Sequence, residues 1–131
     1  MATYRTNGPL IRKALERGTA LGLIAAAQVL INAMKRELRG GYTSGDFVTG
    51  RSMNSVTRSE PEVAGATGSI RVGTSLMYNL FWELGHHNLY TRRFERERKW
   101  EPTLLAQRVA IAKVFNAQML RVLRELPRIG P

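Results

Sequence analysis

The sequence predicts an α+β fold: two long helices packed on a small antiparallel β-sheet, with a short helix near 75–84. Three observations carry that prediction. Apolar residues recur at helical spacing toward both ends of the chain. Between them, two short segments with β-branched residues flank Pro61-Glu62 and Gly65. Tyr78, Phe81 and Trp82 then fall at i, i+3 and i+4, one face of a helix.

Taken in order, Pro9 suits the first turn of a helix with Asn7 or Gly8 as its cap. Leu10, Ala14, Leu21, Ile24, Ala25, Leu30, Ile31, Met34 and Leu38 continue the pattern, and Gly40-Gly41 stops it, so a helix is expected over 9–38. Gly18 and Gly22 each cost about 1 kcal/mol relative to alanine inside a helix. They mark either a kink or a close approach by another backbone. Residues 40–52 are rich in turn formers and predict a flexible loop. A hairpin is expected over 53–73, from a strand running Met53 to Glu60 and a clearer one about 66–73, where Ile70 and Val72 alternate with polar neighbours. Gly85 would cap the short helix, although so short a segment leaves a strand as the alternative. Residues 86–101 read as a basic loop anchored by Leu89, Tyr90 and Phe94. Pro102 opens the last helix, 103–126, and Pro127 ends it. Its apolar seam is Leu104, Ile111, Phe115, Met119, Val122 and Leu126.

At 131 residues the chain is expected to form a single domain, 1–131, with one core. With 44% hydrophobic residues it belongs among ordinary globular sequences. No uninterrupted apolar run approaches the ~20 residues that cross a bilayer, and the N-terminus lacks a secretory pattern. The expected location is therefore the host cytoplasm or a particle assembled there. There is no cysteine, which excludes disulfides, thiol nucleophiles and thiolate zinc sites.

The net charge is +10, from 20 basic and 10 acidic residues. Residues 1–39 carry 7 basic and 2 acidic side chains, and residues 40–91 carry 3 and 4. Residues 92–99 and 100–131 carry 5 and 2 each. Basic ends around a nearly neutral middle imply a polyanionic neighbour, nucleic acid or an acidic protein ring.

No spacing supports catalysis. Glu83 and His86 form Glu-x-x-His, but a di-iron site needs a second copy and further carboxylates, which are missing. His86-His87 therefore reads as an exposed turn with two polar rings. Neither a phosphate-cradling Gly-rich loop nor a Ser-His-Asp arrangement can be assembled. No enzyme activity, metal or cofactor is expected. The run Arg92, Arg93, Phe94, Glu95, Arg96, Glu97, Arg98, Lys99, Trp100 suits phosphate contact with base stacking, or a charged loop whose aromatics dock on the core. Glu95 and Glu97 inside it favour an acidic protein surface as the partner.

One resemblance covers roughly residues 10–125. Thr49-Gly50-Arg51, Ser55-Val56, Val72-Gly73-Thr74, Tyr78 with Glu83 and Gly85, and Pro102-Thr103-Leu104-Leu105 follow in the order seen in the tail-completion, or neck, family of long-tailed bacteriophages. Each motif is weak alone; their colinearity carries the likeness. The chain departs from the family pattern at Asn79, Trp82, Leu84 and His86, and in lacking an aromatic after Pro102. The resemblance implies a structural virion protein that assembles as a ring and helps join the DNA-filled head to the tail tube. Its partners would be copies of itself and other neck, portal-side and tail-tube proteins, with genomic DNA close by and no membrane. Interface candidates are Arg51, Tyr78, Trp82, Glu83, Arg92, Arg93, Arg96, Arg98, Lys99 and Trp100, and the turn glycines are Gly50, Gly73 and Gly85. The alternative is a small basic nucleic-acid-binding module.

Overall fold

The computed structural model describes residues 2–39, 51–74, 83–84, 86–87 and 92–125. Helix α1 spans Ala2–Leu38 and helix α2 Arg51–Asn54. Strands β1 to β4 are Val56–Arg58, Glu62–Ala64, Thr67–Ser69 and Val72–Thr74. Strands β5 and β6 are His86–His87 and Phe94–Glu95, and helix α3 is Trp100–Glu125. The class is α+β, two long helices packed together with small antiparallel two-stranded sheets contacting α1.

The chain divides into two compact units. The first comprises 1–28, 59–71 and 109–131, and the second 29–58 and 72–108.

In the first unit α1 and α3 run antiparallel. A Cβ placed on Gly18 would stand 2.7 Å from Met119 Sδ, and one on Gly22 would stand 2.6 Å from Phe115 Cδ2. The two glycines thus let α3 come close, and α1 continues through both without a break. About 100° around the same helix, Thr19 and Leu23 lie against Gly68 of β3. Thr19, 1% exposed, donates its hydroxyl to the Leu15 carbonyl at 2.7 Å and to the Gly65 carbonyl at 3.2 Å. A polar group so deeply buried is tolerated because it is hydrogen-bonded.

The β2–β3 hairpin pairs Glu62 with Ser69 and Ala64 with Thr67. Its turn is Gly65-Ala66, with Gly65 at φ 61. A positive φ at the first central residue, not the second, is the II′ pattern that suits strand twist. Further down, the Ser59 amide donates to the Arg71 carbonyl at 2.8 Å, and the Arg71 amide donates to Ser59 Oγ at 3.0 Å. Between that pair and Glu62–Ser69 the first arm holds Glu60 and Pro61 against Ile70 alone. This is a β-bulge, placed where Pro61 has no N–H to give to a ladder.

In the second unit β1 pairs with β4, Val56 opposite Thr74 and Arg58 opposite Val72. Ile31, Met34, Leu38 and Val56 form the buried cluster, with Leu30, Met53, Val72 and Trp100 packed against it. Met34 is 0% exposed.

Several expectations need correcting. Helix α1 starts at Ala2, so Pro9 lies inside it and neither Asn7 nor Gly8 is its cap. A proline removes one backbone bond and discourages helix before it, but does not forbid it. Met53 and Asn54 belong to a helical turn rather than to the first strand, because Met53 turns onto the core. That turn also ends the expected 40–52 loop at Arg51; residues 40–50 lie outside the described residues. Helix α3 begins at Trp100, ahead of Pro102. Proline is accommodated there because the first helical N–H groups have no intrahelical partner. Leu104 is 46% exposed, and Thr103 takes the inward position. Ile111, Phe115 and Met119 are half-buried and Val122 is buried, so the rest of the described seam faces inward; Leu126 lies outside the described residues. Of the expected 75–84 helix, only Glu83 and Leu84 are described, and both are helical.

By length and composition alone, Gly8–Leu38 is apolar enough to cross a membrane, with a mean hydropathy of 1.4 in its most apolar window. Polar residues interrupt the window, so a search for unbroken apolar runs does not reveal it. A helix packed on two flanks has the same composition, since most of its circumference faces protein.

Candidate functional site

The best-built site among the predicted residues lies at the start of α3, in the second unit. Its organiser is Glu83. One carboxylate oxygen, Oε1, accepts the Lys99 amide at 2.6 Å and the Trp100 amide at 3.2 Å. The Glu83 carbonyl accepts Arg96 Nε at 2.7 Å. Since the Lys99 carbonyl takes the first helical bond, from the Thr103 amide, Lys99 is the N-cap residue. The carboxylate satisfies two of the helix's orphan donors and sits at the positive end of its dipole. Capping of this kind contributes about 1–2 kcal/mol.

This cap explains why Trp100 opens the helix. It also gives Glu83 work inside the chain, where the sequence reading had assigned it to a partner. The interaction spans 16 positions, and nothing local to Glu83 signals it.

The basic run is only partly free. Arg98 pairs with Glu101 at 3.5 Å, with both side chains about half exposed. Lys99 Nζ donates to the Glu37 carbonyl at 3.0 Å and lies 3.8 Å from Glu97. Trp100 packs on the core, so it does not offer its ring for stacking. Phe94 remains 56% exposed on β6. Arg92 and Arg93 are exposed, and Arg92 adopts φ 58, a left-handed backbone uncommon outside glycine.

His86-His87 is not an unpaired turn. The two residues form β5 against β6, with His86 opposite Glu95 and His87 opposite Phe94. The expected basic loop 86–101 therefore contains a short ladder. Glu83 is helical and His86 extended, so Glu-x-x-His does not share a helical face. Among the described residues no group of three His, Asp or Glu side chains could hold a metal ion.

Of the other predicted residues, Arg51 opens α2. Gly73 is the middle of β4 opposite Thr57, not a turn, and a Cβ there would meet nothing within 4 Å. Gly50, Tyr78, Trp82 and Gly85 lie outside the described residues.

The sequence reading also missed the outer surface of α3. Leu105 is 55% and Val109 73% exposed, at i and i+4. Arg108, Lys113, Arg121 and Arg124 are exposed there too and make no ion pair among the described residues. Amide and carboxylate partners hold the site together. Comparison with family models, with curated proteins and with solved structures found no match for this chain.

Proposed function

We propose that the chain is a structural protein of a long-tailed phage neck, one that acts through assembly rather than catalysis. The observation that carries the reading is the colinear set from Thr49-Gly50-Arg51 through Val72-Gly73-Thr74 and Glu83 to Pro102-Thr103. Its supports in the fold are local. Val72-Gly73-Thr74 is one edge of a ladder, and Pro102 stands in the first turn of the closing helix. The outer face of α3 joins exposed leucine and valine to cations that make no ion pair among the described residues, a surface suited to a protein neighbour with acidic borders.

The proposed assembly is a ring of identical copies placed between portal and tail tube, in which head-to-tail contacts close on themselves. The test is the protein content of purified virions, followed by electron microscopy of particles lacking the gene. The expected outcome is the protein in mature virions at a few copies each, and filled heads without tails when it is deleted. Absence from virions with normal tails on deletion would overturn the reading.

The net charge of +10 favours a second reading, a small basic nucleic-acid-binding module. Binding of the isolated protein to non-specific DNA that falls steeply with salt, together with absence from virions, would select it.

A further inference from the structure

A cavity of about 170 Å³ opens in the second unit between the end of α1 and the start of α3. Arg36, Glu37, Arg98, Lys99, Thr103 and Gln107 supply its polar lining, closed by Ala33, Pro102 and Ala106. Three cations and one carboxylate line it, and since Arg98 and Lys99 are engaged by Glu101 and Glu97, Arg36 is the cation of the lining that makes no ion pair among the described residues. Glu83 already occupies the first amides of α3, so the attraction comes from side chains rather than from the helix end.

Two features set this cavity apart from an ordinary crevice. Arg36 makes no ion pair among the described residues, although its guanidinium carries five donors. Thr103 is 7% exposed, and its hydroxyl has no hydrogen-bond partner among the described residues. The other deeply buried threonine, Thr19, has two acceptors. A buried hydroxyl without a partner is unfavourable, and native structures rarely leave one so. An oxyanion in the cavity would accept from Thr103, from Arg36 and from the donors of Arg98 that Glu101 leaves open.

We propose that this cavity seats a phosphate group, and that its source is the backbone of a nucleic acid. Arginine forks match phosphate oxygens, and a threonine hydroxyl completes such sites. The inference does not depend on the neck reading: a virion protein beside packaged DNA and a free DNA-binding module would both use it.

The test is a titration of the full chain followed by amide and arginine Nε–H NMR. The probes are inorganic phosphate, sodium chloride at matched ionic strength, a short oligothymidylate and an oligoglutamate peptide. Phosphate is expected to give saturable shifts at Arg36, Lys99, Thr103 and Gln107 that chloride does not reproduce, and oligothymidylate to shift the same residues. Arg36→Ala is expected to weaken both about tenfold, the scale of one charged hydrogen bond. Thr103→Val keeps the volume of the side chain and is expected to weaken both several-fold while thermal stability is retained. Equal shifts with chloride, or unchanged affinity in both variants, would overturn the site. Shifts with phosphate but none with oligothymidylate would overturn the nucleic-acid source, as would displacement of phosphate by oligoglutamate alone.

Discussion

Helices α1 and α3 are both long and both rich in basic residues, yet they bury themselves in different ways. In α1, Gly18, Thr19, Gly22, Ala26, Ala27, Ile31, Ala33, Met34 and Leu38 are all buried. In α3 only Thr103 and Val122 reach that level among the described residues. The buried set of α1 is dominated by small residues because neighbours press on two of its flanks, α3 at Gly18 and Gly22 and β3 at Thr19 and Leu23. Helix α3 packs with large, half-buried side chains on one flank and turns the other to solvent. Helix α1 is therefore specified by close approach, whereas α3 leaves one flank exposed.

The sharpest way to break that contrast is Met34→Ala. A large side chain with no exposure lies at the centre of its cluster, so the loss should be about 2–5 kcal/mol in urea unfolding. Gly22→Ala comes next. It gains about 1 kcal/mol of helix propensity but drives a methyl group to 2.6 Å from a stiff aromatic ring. Overpacking of that kind costs about 1–3 kcal/mol, so a net loss of about 1 kcal/mol is expected. Gly18→Ala meets the flexible Met119 side chain and should be closer to neutral. If Gly22→Ala proved stabilising, the claim of close approach would fail.

Glu83→Ala should cost about 1–2 kcal/mol through the lost cap, and Glu83→Gln less, because an amide oxygen still accepts. Equal melting temperatures for wild type and Glu83→Ala would remove the cap from the account. The smallest effect on folding is expected on the outer face. Val109→Lys should change stability by no more than about 0.5 kcal/mol, since Val109 is 73% exposed. Under the proposed function, the same substitution should reduce recovery of the protein in particles, and normal incorporation would remove this face from the interface.

Much of the fold was legible in the residues. The two helical patterns and the hairpin between them follow from periods and breakers that act over a few residues, but the turn expected over Pro61-Glu62 and Gly65 is confined to Gly65-Ala66, with Glu62 in β2. Gly18 and Gly22 were readable as a kink or a close approach, and only the neighbours Met119 and Phe115 decide between the two. The inward face of α3 was misread by one position at its start. Leucine and threonine compete there, and Trp100 docking on the Ile31, Met34, Leu38 and Val56 cluster, with a cap supplied from Glu83, sets the rotation of the first turn.

The candidate site was less legible. The basic run was visible as composition, but which of its charges are engaged depends on Glu37, Glu83 and Glu101, two of which lie far away in sequence. Thr103 carried no signal at all, since a hydroxyl without a partner among the described residues is defined by what fails to surround it.

By itself, the order of residues determined what the chain can become locally: helix where apolar positions recur, a turn where Gly65 takes a positive φ, a bulge where Pro61 has no amide hydrogen. Tertiary structure alone decided which helix is pressed on two flanks, which carboxylate caps α3, and which cation near the buried Thr103 makes no ion pair among the described residues. The physical reason is range. Backbone preference acts over a handful of bonds, while burial and charge pairing depend on groups that folding brings together from distant parts of the chain.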